Sequence, residues 1–119
     1  MADLHTALAG LGAVLGAACV LVGIGLAATG RGPDRLLVGL LGVLVGTLAL
    51  NGLVGLAQMA QAGPPRESLH LLYGVGAVLA IPLAVGLAVG RPPRRQAVVL
   101  TVGAVVVLGL LLRLFQTGA

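Results

Sequence analysis

Charged and aromatic side chains are scarce in this 119-residue sequence. Only 8% of the residues are charged and 2% are aromatic, and tryptophan does not occur. A soluble domain carries about 25% charged residues, so the polar surface that a soluble fold needs is missing. The net charge is +4, but no basic stripe is interleaved with aromatics, which argues against a nucleic-acid partner.

The groups that most enzymes and ion-coupled transporters need are also missing. The single cysteine, Cys19, cannot form a disulfide within the chain. No carboxylate lies in the middle of an apolar stretch, although proton-coupled transporters depend on buried acids. No nucleophile and base pair, phosphate-binding loop or cysteine cluster occurs either. The sequence therefore predicts a protein that is not an enzyme and has no catalytic residues.

Four long apolar stretches make up most of the chain. Each is long enough to cross the ~30 Å hydrocarbon layer of a membrane, and backbone at that depth must be helical unless a closed barrel forms. The first stretch has no basic residues before it, which favours a retained transmembrane helix over a signal peptide. Short breaks make consecutive helices antiparallel neighbours. We predict an all-α, integral membrane, up-down-up-down four-helix bundle forming one domain, 1–119, with helices at 4–29, 36–61, 68–90 and 97–117.

The first and third breaks share the pattern Gly-Arg-x-Pro-x-Arg, at 30–35 and 90–95. The pattern is consistent with two repeated helical hairpins or with convergence of two similar turns. These breaks hold five arginines, whereas Arg66 and Arg113 belong to the opposite side. Arginines concentrate in cytoplasmic loops. The expected location is a bacterial inner membrane, with both termini outside.

Twenty glycines are the second prominent feature. Small residues four apart let helix backbones approach closely in a membrane. Close contacts could serve packing within the chain, contact with other membrane subunits, or self-association. The predicted packing residues form three pairs, namely Gly12 and Gly16, Gly42 and Gly46, and Gly86 and Gly90.

Polar residues inside the apolar stretches collect towards the side opposite the five arginines. His5 and His70 open the first and third helices, and two histidines at one depth could ligate haem b or a metal ion. No third ligand is evident, so interfacial hydrogen bonding is the simpler interpretation, with no cofactor. The predicted polar cluster also contains Tyr73, Arg113, Glu67, Gln58 and the deeper Asn51, which we expect to hydrogen-bond across helices.

Four segments of the second half carry a resemblance. They are LHLLYG at 69–74, IPLA at 81–84, GRPPRR at 90–95, and LR at 112–113 followed by TG at 117–118. On these, the chain resembles an uncharacterised group of small bacterial four-helix membrane proteins. The resemblance implies a four-span fold and a recurring set of His70, Tyr73 and Arg113. It implies no established activity.

Together these features favour a non-catalytic accessory or structural subunit of a larger bacterial membrane complex, for example a bioenergetic one. The expected partners are the lipid bilayer and either other membrane subunits or further copies of the chain. The alternative is a haem- or metal-binding electron-transfer protein that uses His70 together with His5.

Overall fold

The structure is a computed structural model that describes residues 2–63 and 69–117. All regular secondary structure in these ranges is helical, as predicted. The helices are α1 Ala2–Ala28, α2 Arg35–Ala62, α3 Leu69–Ala88 and α4 Pro93–Thr117. The Cα atoms extend over 48 × 21 × 20 Å, and the long dimension suits a protein that crosses a membrane.

The helix ends follow from Gly, Asp and Pro in the breaks. Gly30 has a φ of 73°, and its N–H donates to Ala27 O at 3.1 Å, which closes α1. Asp34 caps α2 by accepting a hydrogen bond from Leu37 N at 2.8 Å. Pro93 is the first residue of α4, four residues before the predicted start, because proline suits the first turn of a helix, where its missing N–H costs nothing.

The fourth helix is the centre of the packing. It contacts both α1 and α3, and α1 also contacts α2, whereas α2 and α3 contact each other least. Close approaches occur at glycines: Leu48 lies over Gly12, Leu108 over Gly16, and Leu110 over Gly76. The buried core between the helices consists mainly of Cys19, Leu37, Leu44, Leu48, Ile81, Ala104, Val107 and Leu111.

Four helix ends meet where the arginine-containing breaks lie. The Nε of Arg94, in the first turn of α4, donates to Ala27 O of α1 at 3.0 Å. Gly32 lies against Pro93, and α2 begins and α3 ends a few residues away. We call this the Arg-rich end, defined by Arg31, Arg35, Arg91, Arg94 and Arg95, and we call the end that carries His5 and His70 the histidine end.

All four helices are long and apolar enough to cross a membrane. Their mean hydropathy values lie between 2.2 and 2.5. In the most apolar 18-residue stretch of each helix, at most 39% of the stretch is buried inside the chain. Most of the helical surface is thus apolar and outward-facing, as lipid contact requires. The chain has the properties of a small multi-pass membrane protein.

Candidate functional site

The two histidines meet inside the bundle at the histidine end. The ring centroids of His5 and His70 are 6.1 Å apart, and the ring planes are tilted by 59°. The two residues come from α1 and α3, which lie diagonally across the bundle with α4 between them. The sequence placed both histidines at helix starts of similar depth, but it could not show that their side chains face each other.

A glycine of α2 makes room for the His5 ring. A Cβ at Gly55 would lie 3.2 Å from His5 Cε1, closer than nearly all such contacts, so glycine lets the imidazole sit against the backbone of α2. His5 Nδ1 is buried and has no hydrogen-bond partner in the part of the chain that the structure describes. Sequence reasoning missed Gly55, because a glycine that accommodates a side chain looks like any other glycine in the sequence.

Two further polar residues continue from Gly55 along the inner face of α2. Asn51 is 6% exposed and Thr47 is 8% exposed, and the spacing of four residues puts them on the same face as Gly55. Asn51 Oδ1 has no hydrogen-bond partner among residues 2–63 and 69–117, so the predicted bond across helices is not observed for this atom. Thr47 was not predicted, although its spacing from Asn51 is a usable signal.

The other described residues of the predicted polar cluster are more exposed than Asn51. Tyr73 and Gln58 are partly exposed, and Arg113 is exposed on α4. Glu67, the remaining residue of the predicted polar cluster, lies outside the described residues. The site that the structure brings together therefore centres on His5 and His70, with Asn51 one turn deeper than Gly55.

The glycine pairs separate into inward and outward positions. Gly12 and Gly16 are buried against neighbouring helices. Gly42, Gly46 and Gly86 are exposed and have no side chain or other helix within 4 Å of a Cβ placed on them, in the described part of the chain. Among residues 2–63 and 69–117, these three glycines are thus not packed against another helix.

Gly90, the second glycine of the third predicted pair, lies in a turn. Its φ of 79° is disfavoured for L side chains, and it lies two residues after the last residue of α3. An added Cβ would meet nothing within 4 Å among the described residues. The structure assigns Gly90 to the turn that ends α3.

The groups described at the histidine end are two imidazoles, neutral polar side chains, and the exposed charges of Asp3 and Arg113. Across the described ranges, no group of three or more His, Cys, Asp or Glu residues could hold a metal ion. Cys19 is fully buried in the hydrophobic core of the bundle, away from the histidines. Comparison of the chain with protein-family models, with curated proteins and with solved structures gives no match.

Proposed function

We propose that this protein is a non-catalytic accessory subunit of a larger bacterial membrane complex, bound through the outward face of α2. The observation that carries the proposal is a glycine-lined depression on that face. Gly39 and Gly46 lie two turns apart, and nothing in the described chain comes within 4 Å of a Cβ placed on either. The depression is flanked by exposed large side chains, namely Leu36, Val43 and Leu50.

Such a face is suited to a transmembrane helix of another subunit. Between helices in lipid there is no hydrophobic driving force, so association depends on close packing, which small residues permit. Large side chains beside a glycine groove provide ridges that fit the grooves of a partner helix. The glycines already packed within the chain, such as Gly12 and Gly16, illustrate the same mode of contact.

Replacing Gly46 with Leu is the direct test of this interface. The added side chain meets no neighbour within 4 Å in the described chain, so the subunit itself should remain folded while its partner is displaced. On native gels of solubilised source membranes, the wild-type protein should migrate in a large complex and Gly46→Leu at the mass of the free protein.

Gly109→Leu is the matched control, because Gly109 is also exposed and open, but on α4. This variant should stay in the large complex. Two results would contradict the proposed role. In one, the wild type and both variants all migrate at the mass of the free protein. In the other, Gly46→Leu stays in the large complex.

We also propose that the chain crosses the inner membrane in an up-down-up-down arrangement, with the Arg-rich end in the cytoplasm and both termini outside. The contacts support the antiparallel order: His5 lies against Gly55, whereas Gly12, further along α1, lies against Leu48, further back along α2. The arginine bias supports the orientation. The similar Arg-containing breaks remain the support for two repeated hairpins.

Labelling of single introduced cysteines tests this orientation. Thr29 and Gln61 are exposed at opposite ends, and replacing them leaves the arginines unchanged. Gly32 is a poor position, because a Cβ there would lie 2.7 Å from Pro93 Cβ. Because Cys19 is buried, its background should be low. An impermeant maleimide added to intact cells should label Gln61→Cys and not Thr29→Cys; labelling of both from outside would exclude the arrangement.

A second candidate function is metal binding by His5 and His70. The observation that favours it is their 6.1 Å centroid separation, about the distance expected when two imidazoles share one ion at Zn–N bonds of ~2.0–2.1 Å. The buried, unpartnered Nδ1 of His5 also favours it. Haem b fits less well, because the His5 ring lies against Gly55, where a macrocycle between the rings would need space.

A further inference from the structure

A cleft of about 810 Å³ separates α2 from α3 towards the Arg-rich end. Its walls are Val38, Gly42 and Val45 on α2, Pro82 and Val85 on α3, and Val89 in the turn after α3. The two helices approach each other nearer the histidine end, where Val78 lies 3.9 Å from a Cβ placed on Gly52. Pro82 lines the cleft from within α3.

The cleft has the depth of one membrane leaflet. From Arg35 to Val45 along α2 is ten residues, and a rise of 1.5 Å per residue makes this about 15 Å. From Ala88 back to Pro82 along α3 is six residues, or about 9 Å on the same basis, and the turn to Arg91 extends this further towards the membrane surface. Half of a ~30 Å hydrocarbon layer is about 15 Å, so the cleft runs from the membrane surface to the midplane.

The mouth of the cleft is positively charged and its interior is apolar. Arg35 lies one turn before Val38 and two turns before Gly42, on the same side of α2 as the cleft. Arg91 lies three residues after the end of α3, and its Nε donates to Leu87 O at 2.7 Å, which holds the guanidinium at this end. Gln96 is the lining residue with a polar side chain, and it too lies at the mouth, bonded to Arg91 O.

We propose that this cleft binds an anionic phospholipid, with one acyl chain between α2 and α3 and the phosphate beside Arg35 and Arg91. The volume lies within the ~300–1,000 Å³ range of small-molecule sites, and basic pockets between transmembrane helices suit anionic headgroups. A partner helix would have no use for a cleft that ends at the midplane. The inference goes beyond the accessory role, because the residues that line the cleft do not include Gly39 or Gly46.

Native mass spectrometry of the protein purified in mild detergent tests the proposal. The probes are phosphatidylglycerol and phosphatidylcholine with identical acyl chains. The wild type should bind one phosphatidylglycerol in preference to phosphatidylcholine. Gly42→Leu, which fills the cleft and meets no neighbour within 4 Å in the described chain, should bind either lipid at least tenfold more weakly.

The headgroup contribution is tested separately with Arg35→Gln and Arg91→Gln. Each should reduce the preference for phosphatidylglycerol by about fivefold. Arg31→Gln is the charge-matched control, because Arg31 follows α1, which does not line the cleft, and it should keep the preference. Gly46→Leu, one turn beyond Gly42 and outside the cleft lining, should keep lipid binding even though we expect it to lose the partner subunit.

Two results would overturn the lipid site. One is unchanged phosphatidylglycerol binding by Gly42→Leu in protein whose circular dichroism and thermal unfolding match those of the wild type. The other is a dimer that Gly42→Leu abolishes without affecting lipid binding, which would assign the cleft to a second copy of the chain. The accessory role is tested by whether the Gly46→Leu variant still enters the large complex, and the lipid site is tested by lipid binding. Failure of one proposal can therefore be distinguished from failure of the other.

Discussion

Replacing Gly103 with Leu is expected to force α3 and α4 apart and to lower the free energy of unfolding by about 1–3 kcal/mol or more, as overpacking does. A Cβ at this position would lie 2.8 Å from Ala84 Cβ, with Ile81 Cδ1 at 3.5 Å. The Ala84 methyl group is attached directly to the backbone and cannot rotate away, so the helices themselves must move. Unfolding in mixed micelles, followed by helical circular dichroism, measures the loss.

Gly46→Leu is the control for this prediction and should unfold like the wild type. Gly103 is buried, whereas Gly46 is exposed and no other part of the described chain approaches it. The same change of side chain is thus made at an inward and at an outward glycine. Equal stabilities for the two variants would mean that α3 and α4 do not pack as closely as the structure indicates.

Zinc is expected to bind the purified protein with one ion per chain, and loss of either histidine should weaken binding by at least ~10-fold. The physical reason is that each imidazole supplies one nitrogen ligand, and the rings of His5 and His70 are already 6.1 Å apart across the bundle. Isothermal titration in detergent, with His5→Ala and His70→Ala, measures the change.

Tyr73→Phe provides the comparison for the zinc titration. Tyr73 lies one turn after His70 and is not a proposed ligand, so removal of its hydroxyl should leave the affinity unchanged. The metal site would be excluded if zinc titration gave the same heats for the wild type and for a variant that lacks both histidines. A Soret band that disappears in His70→Ala would instead identify haem b as the bound group.

The fold class could be predicted from the sequence because its determinants are local. An apolar run of membrane-spanning length must become a helix in hydrocarbon whatever its neighbours are. Helix ends depend on Gly, Pro and capping residues within a few positions, as at Gly30 and Asp34. The difference at α4, which begins at Pro93, arises because hydropathy does not register a polar first turn that is nonetheless helical.

The packing role of each glycine could not be predicted from its spacing. Gly12 and Gly16 face other helices, whereas Gly42 and Gly46, with the same spacing, face outward. Gly103 and Gly23, which would collide with Ala84 and Thr101 if they carried a Cβ, belong to none of the predicted pairs. A helix that is apolar on every side gives no indication of which side turns inward.

By itself the sequence determined four apolar helices, their breaks and the concentration of arginines at one end, because hydropathy, turn chemistry and charge act within a few residues. Only the tertiary structure decided that His5 meets His70 and that α2 and α3 separate to form a cleft below Arg35 and Arg91. Both features join helices that are distant along the chain. Their rotation is set by packing against α4 and α1, which depends on the shapes of all the surfaces in contact.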